Sequence, residues 1–213
     1  MTALSAVAGS AMANDFNFEV NGTPNVDENG YVAGTNDNLQ FKDSKFSFAV
    51  NNGDEITLTS TGKVTVKLGE TVLKVNEAGV YKVEADGTLT VELAKDAAVT
   101  KIVVVSSNSI AVQKEIDKAY DEMGKAIAAV AKYVTYEGFY TKVQEAISKA
   151  GEKVQAVKAE LAEKKEANGV TDAVKDALKA KLNSTTLIPD YGYGAIKDAQ
   201  DAVAKANSTF QLF

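Results

Sequence analysis

The chain has 213 residues, 45% of them apolar and 24% charged, with a formal net charge of −6, enough for one large domain or two small ones. It contains no His, Cys or Trp, and all 23 basic residues are lysine. Thiol nucleophiles, disulfides, Ser-His-Asp triads, the usual zinc sites and bidentate arginine clamps are therefore excluded, and the acidic balance gives no reason to bind nucleic acid or anionic lipid.

Residues 2–13 read TALSAVAGSAMA. The stretch is small, apolar and uncharged. Ala11 and Ala13 stand at −3 and −1 of a junction with Asn14-Asp15, which matches a signal-peptidase site. No lysine precedes it, so the expectation is a truncated signal peptide over 1–13 and an exported chain, secreted, periplasmic or at the cell surface. A frayed Ala-rich helix is the alternative. No later run approaches the ~20 apolar residues of a membrane span, so membrane insertion is not expected.

From Phe16 to Val105 apolar and polar residues alternate. Phe16 and Phe18 open the pattern. It returns at Phe46, Phe48 and Val50, at Ile56 and Leu58, at Val64, Val66 and Leu68, at Tyr81, Val83 and Ala85, and at Leu89, Val91 and Leu93. A period of two in segments about ten residues apart predicts half-buried antiparallel strands. Turns are expected at Asn51-Asn52-Gly53, Thr61-Gly62, Leu68-Gly69, Ala78-Gly79 and Asp86-Gly87. Residues 14–107 thus read as an antiparallel β-sandwich, jelly-roll or Ig-like. The run Ile102-Val103-Val104-Val105 breaks the alternation. It predicts a strand covered on both faces, either at a sheet edge under the helices or at the centre of an ordinary sandwich.

One loop in this region resembles an EF-hand or dockerin calcium loop. Asn25, Asp27 and Asn29 stand at positions 1, 3 and 5, Gly30 at 6, Tyr31 at 7 and Asn36 at 12. Only Asp27 is a carboxylate among the side-chain places, and flanking helices are lacking, so any calcium would be weakly held. An Asn29-Gly30 hairpin turn is the favoured reading.

The helical pattern begins near Ser109. Val112, Ile116, Tyr120, Met123, Ile127, Val130 and Val134 form one seam; Val143, Ile147, Ala150, Val154, Val157 and Leu161 form a second. Asn108 or Ser109 is expected to cap the first helix, and Asn168-Gly169 to stop the second. Lys118/Glu122 and Asp121/Lys125 form i,i+4 pairs on a solvated face. Thr171 caps a third segment with Val174, Leu178 and Leu182 inward. A fourth spans 195–207. Residues 108–213 thus predict an antiparallel up-down bundle, segregated from the β part in an α+β chain. In that order Tyr133, Tyr136, Tyr140, Tyr191 and Tyr193, five of the eight tyrosines, converge on the far tip. Tyrosine favours interfaces; rings that merely plug the bundle's end are the alternative.

The whole resembles bacterial secreted or cell-surface modular proteins, in which a β-sandwich is joined to an Ala/Lys-rich helical module. The resemblance rests on composition and pattern and points to no specific family. It implies a non-enzymatic scaffold, spacer or adhesin with a protein or glycan partner at the cell surface. No catalytic or cofactor-binding residue is expected, because no two carboxylates can be placed in one cleft. The alternative is a carbohydrate-binding sandwich on a helical stalk. Against it, Phe46, Phe48 and Tyr81 are in phase with the core and no Trp is present to stack a sugar.

Overall fold

The computed structural model describes residues 15–20, 23–33, 39–131 and 137–183; at 126–127, 129–131, 137–140 and 142–143 it describes the backbone alone. Among the described residues the chain is α+β, with nine strands in two antiparallel sheets and three helices. The strands are β1 (Phe16–Glu19), β2 (Gln40–Lys42), β3 (Lys45–Val50), β4 (Glu55–Thr61), β5 (Val64–Leu68), β6 (Thr71–Val72), β7 (Val80–Lys82), β8 (Gly87–Leu93) and β9 (Ala98–Val105). The helices are α1 (Ser107–Ala131), α2 (Glu137–Glu166) and α3 (Asp172–Leu182). The predicted fourth helical segment lies outside the described residues, as does the predicted signal segment 1–13.

The chain divides into two compact units. One comprises Met1–Ile110 with Glu163–Val174; the other comprises Ala111–Ala162 with Lys175–Phe213. The first holds both sheets. Their strand orders are β1-β9-β4-β7 and β2-β3-β8-β5-β6. The alternation read from the sequence becomes burial: Phe46, Phe48 and Val50 on β3, Leu89 and Val91 on β8, and Ile56 on β4 are buried while their neighbours are not. Side chains of both sheets share one core. Phe16 of β1 meets Phe48 of β3 edge-on at 5.2 Å between centroids, and Phe18 meets Phe46 at 6.3 Å. Burying an aromatic ring of this kind contributes about 1.5–3 kcal/mol, and the edge contact adds to it.

β9 is an interior strand, paired with β1 on one side and β4 on the other. It is therefore not the sheet edge that one reading of its apolar run suggested. Val99, Ile102 and Val104 face the core, while Val103 and Val105 on the opposite face are only half-covered. The strand read over 81–85 ends at Lys82, and Ala85 is exposed. The short strands β2 and β6 carried too few residues to show a period.

The second unit buries Val112, Ile116, Ala119 and Met123 of α1, Ala150, Val154, Val157 and Leu161 of α2, and Leu178 and Leu182 of α3. These are seam positions, except that Ala119 takes the place expected of the half-buried Tyr120 and, on α2, Ala146 is buried where the expected Ile147 is half-buried. Asp121 and Lys125 pair as expected, and Lys118 Nζ also lies 4.0 Å from Glu115. Lys179 Nζ lies 3.9 Å from Glu115 of α1, and Lys181 pairs with Glu160 of α2.

Candidate functional site

Both ends of β9 carry clusters of polar side chains, of opposite character. At its C-terminal end a single residue, Ser106, separates strand from helix. Ser106 caps α1: its Oγ accepts a hydrogen bond from the Ser109 N–H at 3.2 Å, and its carbonyl accepts the first helical bond from Ile110. The cap is thus two residues earlier than Asn108 and three earlier than Ser109. The reason is tertiary. Asp15, just before β1, reaches Ser106 with both oxygens. Oδ1 accepts from the Ser106 N–H at 2.9 Å; Oδ2 accepts from Ser106 Oγ at 2.7 Å and from Ser109 Oγ at 2.6 Å.

A second carboxylate serves the same helix end. Asp54 follows the Asn51-Asn52-Gly53 turn, and its Oδ1 accepts from the Ser107 N–H at 2.8 Å while Oδ2 accepts from the Asn51 N–H at 2.8 Å. Gly53 makes the approach feasible. Its φ is +88°, and a Cβ there would sit 3.0 Å from Ser107 Cβ. Asn108 completes the turn by donating from Nδ2 to the Val170 carbonyl at 3.0 Å.

Asp15 is 2% exposed and Asp54 0%, and Ser106 and Ser109 are 1% exposed. Burying a carboxylate costs several kcal/mol unless donors meet it. Here the donors are backbone N–H and hydroxyl groups, and the positive end of α1 adds a favourable field. α1 has no acidic residue in its own first turn; the loops before β1 and β4 supply two instead. Serine beside aspartate carries the residue types of a nucleophile and its base. No substrate can reach hydroxyls this deeply buried, so the cluster acts as a structural clamp.

At the N-terminal end of β9 the polar groups are open. A groove of about 650 Å³ is lined by Val20 and Pro24, by Phe41 and Phe46, by Leu93 and Val99, and by the rim residues Thr23, Ser44, Lys95, Asp96 and Thr100. Two tight turns frame it. Asp43 and Ser44 join β2 to β3 with φ of 52° and 57°, the two-residue turn that twists with its strands. Asp96, with φ of 65°, stands in the turn before β9. The Leu93 N–H donates to the Ser44 carbonyl at 3.1 Å and fixes the first turn against β8.

The calcium-loop residues Asn25, Asp27, Asn29 and Tyr31 form a closed hairpin turn. Asp27 Oδ1 accepts from the N–H groups of Asn29 at 2.8 Å and Tyr31 at 2.9 Å. Val26 and Val32 bridge beneath, and Gly30 has φ of +84°. The turn is docked on β2 through the Phe41 N–H, which donates to the Gly30 carbonyl. A Cβ on Gly30 would lie 2.9 Å from the Phe41 carbonyl oxygen. Asn36 lies outside the described residues. Among the described residues no three His, Cys, Asp or Glu side chains gather as a metal site.

Of the tip tyrosines, Tyr133, Tyr136, Tyr191 and Tyr193 lie outside the described residues, and Tyr140 is described only as backbone on α2. Phe46 and Phe48 are core, as their phase implied, and Tyr81 packs against that core. Tyr31, 42% exposed, is the open aromatic ring among the described residues. Comparison with known protein families, with curated proteins and with solved structures finds no match to the chain. No described helix is long and apolar enough to cross a membrane.

Proposed function

We propose that the chain is a non-enzymatic scaffold or adhesion protein that works outside the cytoplasm, a β-sandwich of jelly-roll or Ig-like kind joined to an antiparallel helical bundle. The observation that carries this reading is the clamp at the head of α1. Two buried carboxylates from different loops hold the first turn of α1, acidic groups given to structure where an enzyme would keep them open to a substrate. Aromatic contacts between the two sheets and the ion pairs of α3 with α1 and α2 support the sandwich and the bundle.

The partner in this reading is a protein or glycan at the cell surface, and the residues proposed to meet it are Tyr133, Tyr136, Tyr140, Tyr191 and Tyr193. Fractionation with intact mass of the natively expressed chain tests it. A species beginning at Asn14 outside the cytoplasm is expected; a species that keeps residues 1–13 inside the cell overturns the reading. The contact itself is tested by Tyr140→Ala and Tyr193→Ala, which should weaken partner binding and leave stability nearly intact. Unfolding of the bundle by either change would assign the rings to the core instead.

A further inference from the structure

The groove at the start of β9 has a floor and a rim of different chemistry. Phe41, Leu93 and Val99 give it an apolar floor, with the Phe41 ring braced 4.7 Å from that of Phe46. On the rim, Thr23, Ser44, Lys95 and Asp96 are exposed. The backbone around them is already engaged. The Val20 N–H donates to the Thr100 carbonyl, Phe41 to Gly30, Leu93 to Ser44, Ala94 to Lys63 and Ala97 to Ala94. These donors are not open to an added strand, so recognition at this groove falls to its side chains.

Charge narrows the occupant further. Among the described lining residues Lys95 is the one ammonium and is followed directly by the carboxylate of Asp96, so that lining carries no net charge. A phosphate or sulfate group would meet no net field, and the chain has no arginine to grip it. A divalent cation would find one carboxylate where it needs several. A wholly apolar ligand would leave the rim hydroxyls and charges dehydrated. What fits is a neutral ring with one apolar C–H face and hydroxyls around its edge.

We infer that this groove is a saccharide-binding site, in which a neutral sugar unit lies on Phe41 and Leu93 and gives its hydroxyls to Asp96, Ser44 and Thr23. Pockets of a few hundred to a thousand Å³ with an apolar lining and a few convergent polar groups are where small ligands bind. Asp96 is the strongest acceptor on the rim, since a hydroxyl bonded to a carboxylate is a charge-assisted contact. The inference supplies a ligand class for the surface reading but does not depend on it. Purified protein would bind sugar wherever the cell keeps it, and an exported protein that binds none would leave the scaffold reading standing.

The test is an amide NMR titration of the full chain with methyl glycosides of glucose, galactose, mannose and N-acetylglucosamine and with their linear tetrasaccharides. At least one should move the signals of Ser44, Ala94, Ala97 and Thr100 together and saturably. Ala94→Ile, which crowds the mouth of the groove without offering a ring to stack on, should weaken that sugar at least about tenfold. Asp96→Asn keeps the left-handed turn conformation that Asn tolerates and should weaken it roughly threefold to tenfold. No movement of these signals with any sugar at about 10 mM would overturn the proposal. So would a titration whose shifts lie elsewhere, or a binding curve that both variants leave unchanged while retaining the native spectrum.

Discussion

β9 has eight residues, so its ends stand roughly 23 Å apart at about 3.3 Å per residue. At the last residue the polar side chains of Asp15, Ser106 and Ser109 are buried and paired with one another. At the first, those of Lys95, Asp96 and Ser44 are exposed around an apolar groove. The same residue types therefore do opposite things. A buried hydroxyl or carboxylate with its donors fixed is a fastener, because leaving any member unpaired is costly. An exposed one costs little to leave in water and is free to exchange that water for a ligand.

This contrast can be broken by measurement. Asp15→Ala should have the largest effect, a loss of about 2–4 kcal/mol in urea unfolding, because it leaves the Ser106 N–H and one of the two serine hydroxyls buried without an acceptor, the hydroxyls retaining only their bond to each other. A loss under about 0.5 kcal/mol would mean that the cluster is no fastener. Asp54→Ala should follow, at about 1–3 kcal/mol, for two backbone donors at the turn and the helix start.

A smaller effect is expected from pH. Glu92 is held below the usual glutamate range by its hydrogen bond to Lys67, helped by Lys45, and Glu19 is lowered in the same way by Lys101. A carboxylate whose folded pKa is depressed contributes stability at neutral pH that is lost as pH falls through that depressed value. Stability should therefore decline on acidification below the ordinary glutamate range, and Glu92→Gln should flatten that part of the profile. A variant with the slope of the unaltered chain would remove Glu92 from the account. At the open end of β9, Asp96→Asn should change stability by no more than about 0.5 kcal/mol. A loss comparable to that of Asp15→Ala would erase the distinction between the two ends.

Long periodic segments were legible in the sequence because burial enforces their period. Phe46, Phe48 and Val50 or Val112, Ile116 and Met123 could sit in a core in only one phase. The C-cap of α2 was legible within one residue. Asn168, at φ of 48°, takes the left-handed position, and Gly169 follows with its N–H donating to the Lys164 carbonyl at 2.7 Å. The β2–β3 turn was missed because Asp43-Ser44 holds a conformation that Asn-Gly usually announces. The clamp was missed for another reason. Ser106, Asn108 and Ser109 are all good caps by local chemistry, and only Asp15, distant in sequence, selects among them. The groove draws its lining from three separate stretches of chain, 20–24, 41–46 and 93–100, none of which carries a motif. In the calcium-like loop the residues Asp27, Asn29 and Gly30 suit a tight turn as well as an ion, and the hydrogen bonds of Asp27 Oδ1 belong to the turn.

The clamp also sets an order in time. Asp15 and the β1 strand behind it leave the ribosome some 90 residues before the serines and the β9 strand they must meet; the Asp15–Ser106 separation is 91 residues. At about 5–20 residues per second that is a wait of roughly 5–20 s. Throughout it Phe16 and Phe18 lack their strand partner β9, although the rings of Phe46 and Phe48 emerge about a third of the way through it. A chaperone or translocation factor that holds an extended apolar segment would have that window in which to act, and it would close once Ser106 and Ser109 emerge.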